Sequence, residues 1–311
     1  MPEPERWGID RGYHDAAGGW HDVPGPTVEA FLTAMDAHDD GPPAAPALFT
    51  VPGRESPRVG PGWLGLEDGT TLDVDGALPP DLPFGYHRFV PRGGDERHAT
   101  RVIAGPGRCH LPDHRMWGWA VQLYATRSRA SWGIGDLADL RRVAAWSAGL
   151  GAGMALVSPL HAALPGHPQQ PSPYFPSSRC FRNPLYLRVE DVPGAGGVPE
   201  VDAAAAAGRA LNQERRIDRD AVWRLKSAAL ETLFAAFGGD ADFDRFAAEG
   251  GDALRGYATF CALVELHGSH WGTWPPAVRR PDGAGVAALA TSGAVADRIR
   301  YHSWLQWLLD L

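Results

Sequence analysis

The groups best placed to do chemistry lie between residues 158 and 183. Pro168, Pro171, Pro173 and Pro176 fix the backbone along 165–183, a stretch with no helical or strand periodicity. Gln169, Gln170, Ser172, Ser177 and Ser178 place neutral amide and hydroxyl groups on this braced loop, and Tyr174 adds one aromatic face. Fixed neutral donors and acceptors beside a flat ring suit a polyhydroxylated ligand. The hydroxyls take the hydrogen bonds, and the C–H side of a sugar ring lies on the aromatic. Long structureless loops in compact domains are functional or disordered, and the prolines argue against disorder. The residue types alone do not choose between a ligand contact and a surface loop whose tyrosine merely packs. His161 is open in the same way, as a ligand contact or a hydrogen-bonded structural histidine.

The elements that position this loop read as strand, helix, strand. Residues 120–124 form a short β-type run, 136–149 a helix, and 154–157 a second apolar strand. Such a βαβ unit has parallel neighbouring strands, and its ligand groups follow their carboxyl ends. Here those loops carry Arg127 and Ser128, then His161 through Asn183. Asp136 opens the helix, where a carboxylate caps free N–H groups, so it is read as a cap rather than a catalytic acid. Leu137, Leu140, Val143 and Ala144 give an apolar stripe with Arg141 and Arg142 on the wet side, and Gly149 and Gly151 mark the stop.

In their order and spacing, five fragments carry a resemblance: Gly118-Trp119-Ala120-Val121-Gln122-Leu123-Tyr124, Ser131-Trp132-Gly133-Ile134-Gly135-Asp136, Ser158-Pro159-Leu160-His161, Ser172-Pro173-Tyr174 and Asn183-Pro184-Leu185-Tyr186-Leu187. Together they resemble the 4-α-glucanotransferases, the amylomaltases of glycoside hydrolase family 77. The resemblance continues through residues 271–274 and 301–309. It implies an α/β fold, the beginning of a TIM (β/α)₈ barrel with a helical insertion. It also implies transfer of a 1,4-α-D-glucan segment to the 4-hydroxyl of an acceptor glucose or maltooligosaccharide, with retention and without metal or organic cofactor. The family's Ser-Pro-Tyr motif lines the glucan site, which implies substrate contact for Ser172 and Tyr174. His161 and Asn183 match as well, Asn183 as a residue that closes the loop.

Residues 1–115 read as a β-rich, sandwich-like accessory domain. It holds a short helix over 27–37 with Thr27 as its cap, a Pro/Ala linker at 41–46, and strands near 47–51, 63–66, 70–74, 85–90 and 100–104. Asp68-Gly69 is a hairpin turn signal. Trp63 and Tyr86 are read as core in preference to exposed sugar-stacking rings. Residues 116–190 form the first βαβ part of the barrel. Residues 191–311 form the helical insertion, with a loose Gly/Ala-rich connection at 194–208 and helices over 220–237, 242–249, 252–267 and 295–311. The tryptophans of the last helix are read as core.

A net charge of −8 without a basic stripe argues against nucleic acid. No apolar run is long enough for a membrane span, and the amino-terminal residues lack the pattern of a secretory signal. Cys109, Cys180 and Cys261 have no metal-type spacing, which fits a reducing cytoplasm. Lys226 is the only lysine and the other basic residues are arginines, a preference read as coding bias with little functional content.

A retaining glucanotransferase needs two carboxyl groups about 5 Å apart. Asp136, Asp139, Glu190, Asp191 and Glu265 lie nearest the recognised motifs, yet none matches a catalytic motif of the family. Two candidate parallel strands are also too few for a barrel, which needs eight. Only Asp310 and Leu311 follow the apolar helical run 304–309. The expectation is therefore the N-terminal part of a longer enzyme, without its catalytic carboxylates. The alternative is a non-catalytic glucan-binding module or decayed remnant. A different α-amylase-type enzyme is disfavoured by the long helical insertion.

Overall fold

The computed structural model describes residues 2–38, 47–94 and 99–311, so the 41–46 linker lies outside the described residues. The chain forms two compact units, Met1–Asp113 and His114–Leu311.

In the first unit, β1 (Gly12–His14) and β2 (Trp20–Asp22) pair as a hairpin, followed by α1 (Gly25–Ala34). Pro26 is preset for the first turn of a helix, so α1 starts ahead of Thr27, and the capping position falls on Pro24 without a side-chain bond. Strands β3 (Ala47–Thr50), β4 (Arg58–Gly65), β5 (Thr71–Ala77), β6 (Gly85–Pro91) and β7 (Thr100–Ala104) make one sheet in the order β3-β7-β6-β4-β5. The β4–β5 turn uses Gly69 at φ +88°, as the Asp-Gly signal predicts. A sandwich was expected, and the five strands instead make a single sheet. Leu64, Val74, Phe89 and Val102 point to its covered face. Strand alternation then sends Trp63 and Tyr86 to the opposite face, where they are 49% and 64% exposed, against the core reading.

The second unit begins with β8 (Gly118–Val121), α2 (Leu137–Gly149) and β9 (Met154–Val157). Strands β8 and β9 are parallel and in register from Gly118↔Met154 to Val121↔Val157, as the βαβ reading predicts. Asp136 caps α2, accepting from the N–H groups of Ala138 and Asp139, and Asp139 answers by accepting from the N–H of Asp136. The two-stranded sheet leaves Trp119, Met154 and Leu156 exposed, and Trp119 stacks on the exposed Trp146 of α2.

β10 (His161–Ala162) and β11 (Ser178–Arg182) pair antiparallel, so the loop expected over 165–183 is in fact the arm of a hairpin with a structured base. Helices α3 (Pro199–Ala210), α4 (Arg219–Ala235), α5 (Ala241–His267), α6 (Ala284–Ala290) and α7 (Gly293–Leu308) follow. Gly251, at φ 49°, kinks α5 between the two helices expected there. The Gly/Ala-rich connection is mostly helix α3. Pro199 and two acidic residues start it, and Gly208 lets it lie against the Trp132 ring.

The second core gathers Trp132, Ile134, Leu185, Leu187 and Val222 with Tyr301, Trp304, Leu305 and Trp307 of α7. Lys226 is fully buried in it and donates to the carbonyls of Leu185 (2.7 Å) and Leu187 (2.6 Å). The one lysine in an arginine-rich chain is thus a structural strut. Among the described residues no helix is long and apolar enough to cross a membrane.

Candidate functional site

Gln122 follows the carboxyl end of β8 and Ser158 that of β9. With Trp119, Thr126, Trp146 and Tyr174 they line a cleft of about 840 Å³. Ser158 is occupied in place: its N–H donates to the Val121 carbonyl, and its Oγ accepts from the Leu123 N–H at 3.3 Å. The side-chain amide of Gln122 makes no hydrogen bond among the described residues and remains available to a ligand. Sequence reading did not single out Gln122, although a polar residue closing an apolar strand was the available signal.

Tyr174 is 68% exposed at the rim of this cleft. Its position is set from below. Ser172 Oγ accepts from the Tyr174 N–H at 3.3 Å, and Gln170 Oε1 accepts from the Ser172 N–H at 3.1 Å. The loop is pinned to the start of α4, where Asp220 Oδ1 receives the Gln169 N–H (2.7 Å) and meets His167 Nδ1 (2.9 Å). The His167 bond, followed by the Gln169 amide, holds the Asp220 carboxyl below the usual range. At the loop's return, Ser177 donates from its N–H and its Oγ to the Ala162 carbonyl.

The four residues singled out from sequence divide between two places. His161, Ser172 and Asn183 line a cavity of about 20 Å³ under the loop, room for a single water, while Tyr174 faces the large cleft. His161 stands opposite Arg182 in the hairpin, and its ring has no hydrogen bond among the described residues. Asn183 closes the loop: its N–H donates to the Leu160 carbonyl and its Oδ1 accepts from the Leu185 N–H at 3.0 Å. Arg127 and Ser128 are used internally. Arg127 donates to the Glu214 carbonyl, and Ser128 bonds to Ser131.

The nearby carboxylates are engaged elsewhere. Asp136 is completely buried and takes a two-pronged contact from Arg188, which also lies 3.2 Å from Asp139. Burial alone would raise the Asp139 pKa, but the bonds from Ser128 and Ser131 and the Arg188 charge outweigh it and hold it low. Glu190 accepts from Trp132 Nε1 and Arg209, and Asp191 lies 3.8 Å from Arg141. Glu265 binds Arg298 and His302. Its burial is likewise outweighed, and the carboxyl falls to about 2. Among the described residues no cluster of three or more His, Cys, Asp or Glu side chains could hold a metal.

The family model described as 4-alpha-glucanotransferase, glycoside hydrolase family 77, matches residues 121–311. The chain belongs to this family. Over 287 residues it is 43% identical to a 4-alpha-glucanotransferase of Mycobacterium tuberculosis, covering 80% of this chain and 39% of that protein. A 4-alpha-glucanotransferase of Haemophilus influenzae is 30% identical over 262 residues, 75% of this chain and 37% of its own length. The crystal structure of amylomaltase from Corynebacterium glutamicum superposes with a TM-score of 0.76 at 27% identity, covering 98% of this chain and 50% of that one. The chain thus spans about two fifths of the length of these curated glucanotransferases.

Proposed function

We propose that this chain supplies the first part of a 4-alpha-glucanotransferase barrel, with β8 and β9 as its opening strands and the helices of 191–311 as an insertion before the third. Residues 1–115 form the accessory domain. In the whole enzyme a segment of a 1,4-α-D-glucan is moved to the 4-hydroxyl of an acceptor glucose or maltooligosaccharide through a covalent intermediate with retention. The observation that carries this reading is Tyr174, held out over a cleft at the carboxyl ends of two parallel strands, the face on which barrel enzymes bind substrate.

In this arrangement the Tyr174 ring stacks on the C–H face of one glucose unit, and the Gln122 amide reads a neighbouring hydroxyl. Ser172 and Asn183 set the loop from beneath, through the bonds described above, and the unbonded His161 ring lines the small cavity under it. The retaining carboxyl pair comes from polypeptide other than these 311 residues. In support, Asp136 and Asp139 are sealed from solvent beside Arg188, and Glu265 is committed to Arg298 and His302. The proposed chemistry calls for no metal or organic cofactor. The three unpaired thiols support a cytoplasmic setting.

The test is titration of the 311-residue chain with maltoheptaose, with release of glucose from maltotriose followed in parallel. Binding that weakens about tenfold in Tyr174→Ala, with no glucose release, is the expected result. Unchanged affinity removes the loop from the site. Glucose release would show that this chain carries its own carboxyl pair. Binding without turnover also fits the second reading, a non-catalytic glucan-binding module, which the engaged carboxylates favour. Transfer restored by adding the missing barrel segment in trans would decide for the enzyme.

A further inference from the structure

The connection between α3 and α4 touches both walls of the cleft. It runs over residues 211–220, through a short turn (Leu211–Gln213) and into the first two residues of α4. One wall is the loop after β8, which lines the cleft with Ala125 and Thr126. The side chain of Asn212 is wholly engaged with that loop. Its Nδ2 donates to the carbonyls of Ser128 (3.3 Å) and Ser131 (2.5 Å), and its Oδ1 accepts from the Gly133 N–H at 3.1 Å. Gly133, at φ +74°, lets the two segments touch, since a Cβ there would lie 2.7 Å from the Leu211 Cβ. Arg127 donates to the Glu214 carbonyl at 3.0 Å, and the Arg219 guanidinium lies 5.3 Å over the Tyr124 ring.

The other wall is the arm over 163–177, which carries Tyr174. Its prolines lack N–H groups, so it has few donors with which to hold itself. Most of its hydrogen bonds stay inside the hairpin, ending on Gly166, Gln170, Ser172 and Ala162. Among the described residues, its only hydrogen bonds to another element are the two that meet on Asp220 Oδ1, from the Gln169 N–H at 2.7 Å and with His167 Nδ1 at 2.9 Å. Neither His167 nor Gln169 belongs to the core around α7. The Asp220 bonds therefore act on where the arm stands and add little to the packing of the unit.

We propose that Asp220 is a positioning residue for Tyr174, and that the α3–α4 connection sets the two walls of the cleft against each other. Asn212 and Arg219 hold the loop after β8, and Asp220 holds the arm after β9. Strands β8 and β9 fix where these loops begin, and one ten-residue piece of the helical insertion fixes where they stand. The insertion is then the support of the cleft as well as a link between strands. A ring held at its angle before the ligand arrives does not have to be ordered on binding. That the ligand is a glucan rests on the function proposed above; the support of the two walls does not.

The test combines amide hydrogen exchange with maltoheptaose titration of the 311-residue chain. Asp220→Ala should speed exchange about tenfold at the amides of Gln169, Ser172 and Tyr174, while the buried turns of α4 keep their protection. Asn212→Ala should do the same over residues 125–133 and leave the arm alone. Asp220→Asn keeps an oxygen that accepts both bonds, so it should recover most of the protection. Maltoheptaose affinity should fall about tenfold in Asp220→Ala and recover in Asp220→Asn, and Asp220→Ala should cost nothing further once Tyr174→Ala is present. Unchanged exchange over the arm in Asp220→Ala overturns the proposal. So does Asp220→Asn behaving like Asp220→Ala, since the charge at the helix start would then matter and the accepted bonds would not. An affinity loss that adds to that of Tyr174→Ala also overturns it, because Asp220 would not be acting through the ring. If Tyr174→Ala by itself leaves maltoheptaose affinity unchanged, the substrate reading of the cleft fails, and exchange alone decides whether Asp220 positions the arm.

Discussion

The guanidinium of Arg188 and the carboxylate of Asp136 meet edge to edge, Nε to Oδ2 at 2.6 Å and Nη2 to Oδ1 at 2.9 Å. Asp136 also caps α2, so one carboxylate ties the helix after β8 to the turn that follows the hairpin. A buried pair adds little against a hydrophobic substitute, but breaking one side leaves a charge without compensation. Arg188→Met should therefore lose about 3–5 kcal/mol in urea unfolding. Asp136→Asn preserves a capping oxygen, so adding it to Arg188→Met should recover part of that loss. A loss under about 1 kcal/mol for Arg188→Met would mean that the contact of Arg188 with Asp136 and Asp139 does not hold this turn to α2.

Lys226 gives a pH dependence of unusual sign. Burial lowers its pKa to about 8, with the Asp136 charge offsetting only part of the effect. Its folded value lies below the unfolded value of 10.5, so between these the unfolded state holds more protons. Stability then rises with pH from about 8, by about 3 kcal/mol at full extent. The buried Cys261 thiol, pushed up to about 12 from 9.0, acts oppositely and draws stability down above pH 9. The clean window is thus pH 8 to 9. In Lys226→Met the upward slope there should vanish, and the unpaired Leu185 and Leu187 carbonyls should lower stability at every pH. A slope retained in Lys226→Met would assign it to another group.

Gly208 sets helix propensity against packing. Alanine in a helix gains about 1 kcal/mol over glycine. At Gly208, however, a Cβ would lie 2.5 Å from Cγ of the Trp132 ring, which has no exposure and nowhere to move. Overpacking of this kind costs about 1–3 kcal/mol, so Gly208→Ala should destabilise on balance. Gly149→Ala, with open space around its Cβ, should stabilise by about 0.5–1 kcal/mol. Melting temperatures that move in the same direction for both variants would refute the contact.

Gly208 also shows where sequence reading stops. A Gly/Ala-rich run looks loose because composition records flexibility and not the ring it packs on. Period and turn chemistry did reveal the βαβ unit, the Asp136 cap and the Gly251 break, since these are local. The Trp63 and Tyr86 reading failed for a non-local reason. Alternation with Leu64, Val74, Phe89 and Val102 sorts the rings onto one face, but whether a second sheet covers that face is decided by strand pairing. Likewise, the family resemblance joined Ser172, Tyr174, His161 and Asn183 as one set, while the hairpin β10–β11 separates Tyr174 from the other three.

That hairpin has its own test. Gln306 of α7 pairs with the Arg182 backbone as a neighbouring strand would, accepting its N–H at 3.0 Å and donating to its carbonyl at 2.9 Å. Arg182 reaches on to the Leu309 carbonyl and Asp310, and Phe181 stacks on Tyr257 of α5 at 4.1 Å. Strand β11 is therefore anchored to two helices, and the Tyr174 loop hangs from it. Gln306→Leu fits the apolar surroundings of α7 but leaves two backbone groups unpaired, at a cost of about 1–3 kcal/mol each. Amide hydrogen exchange should then speed up about tenfold or more over residues 163–182, while the buried turns of α7 keep their protection. Maltoheptaose affinity should fall with it, because a mobile loop must be ordered on binding. Faster exchange in α7 with an unchanged loop would mean that Gln306 only staples the helix and that the hairpin holds its shape unaided.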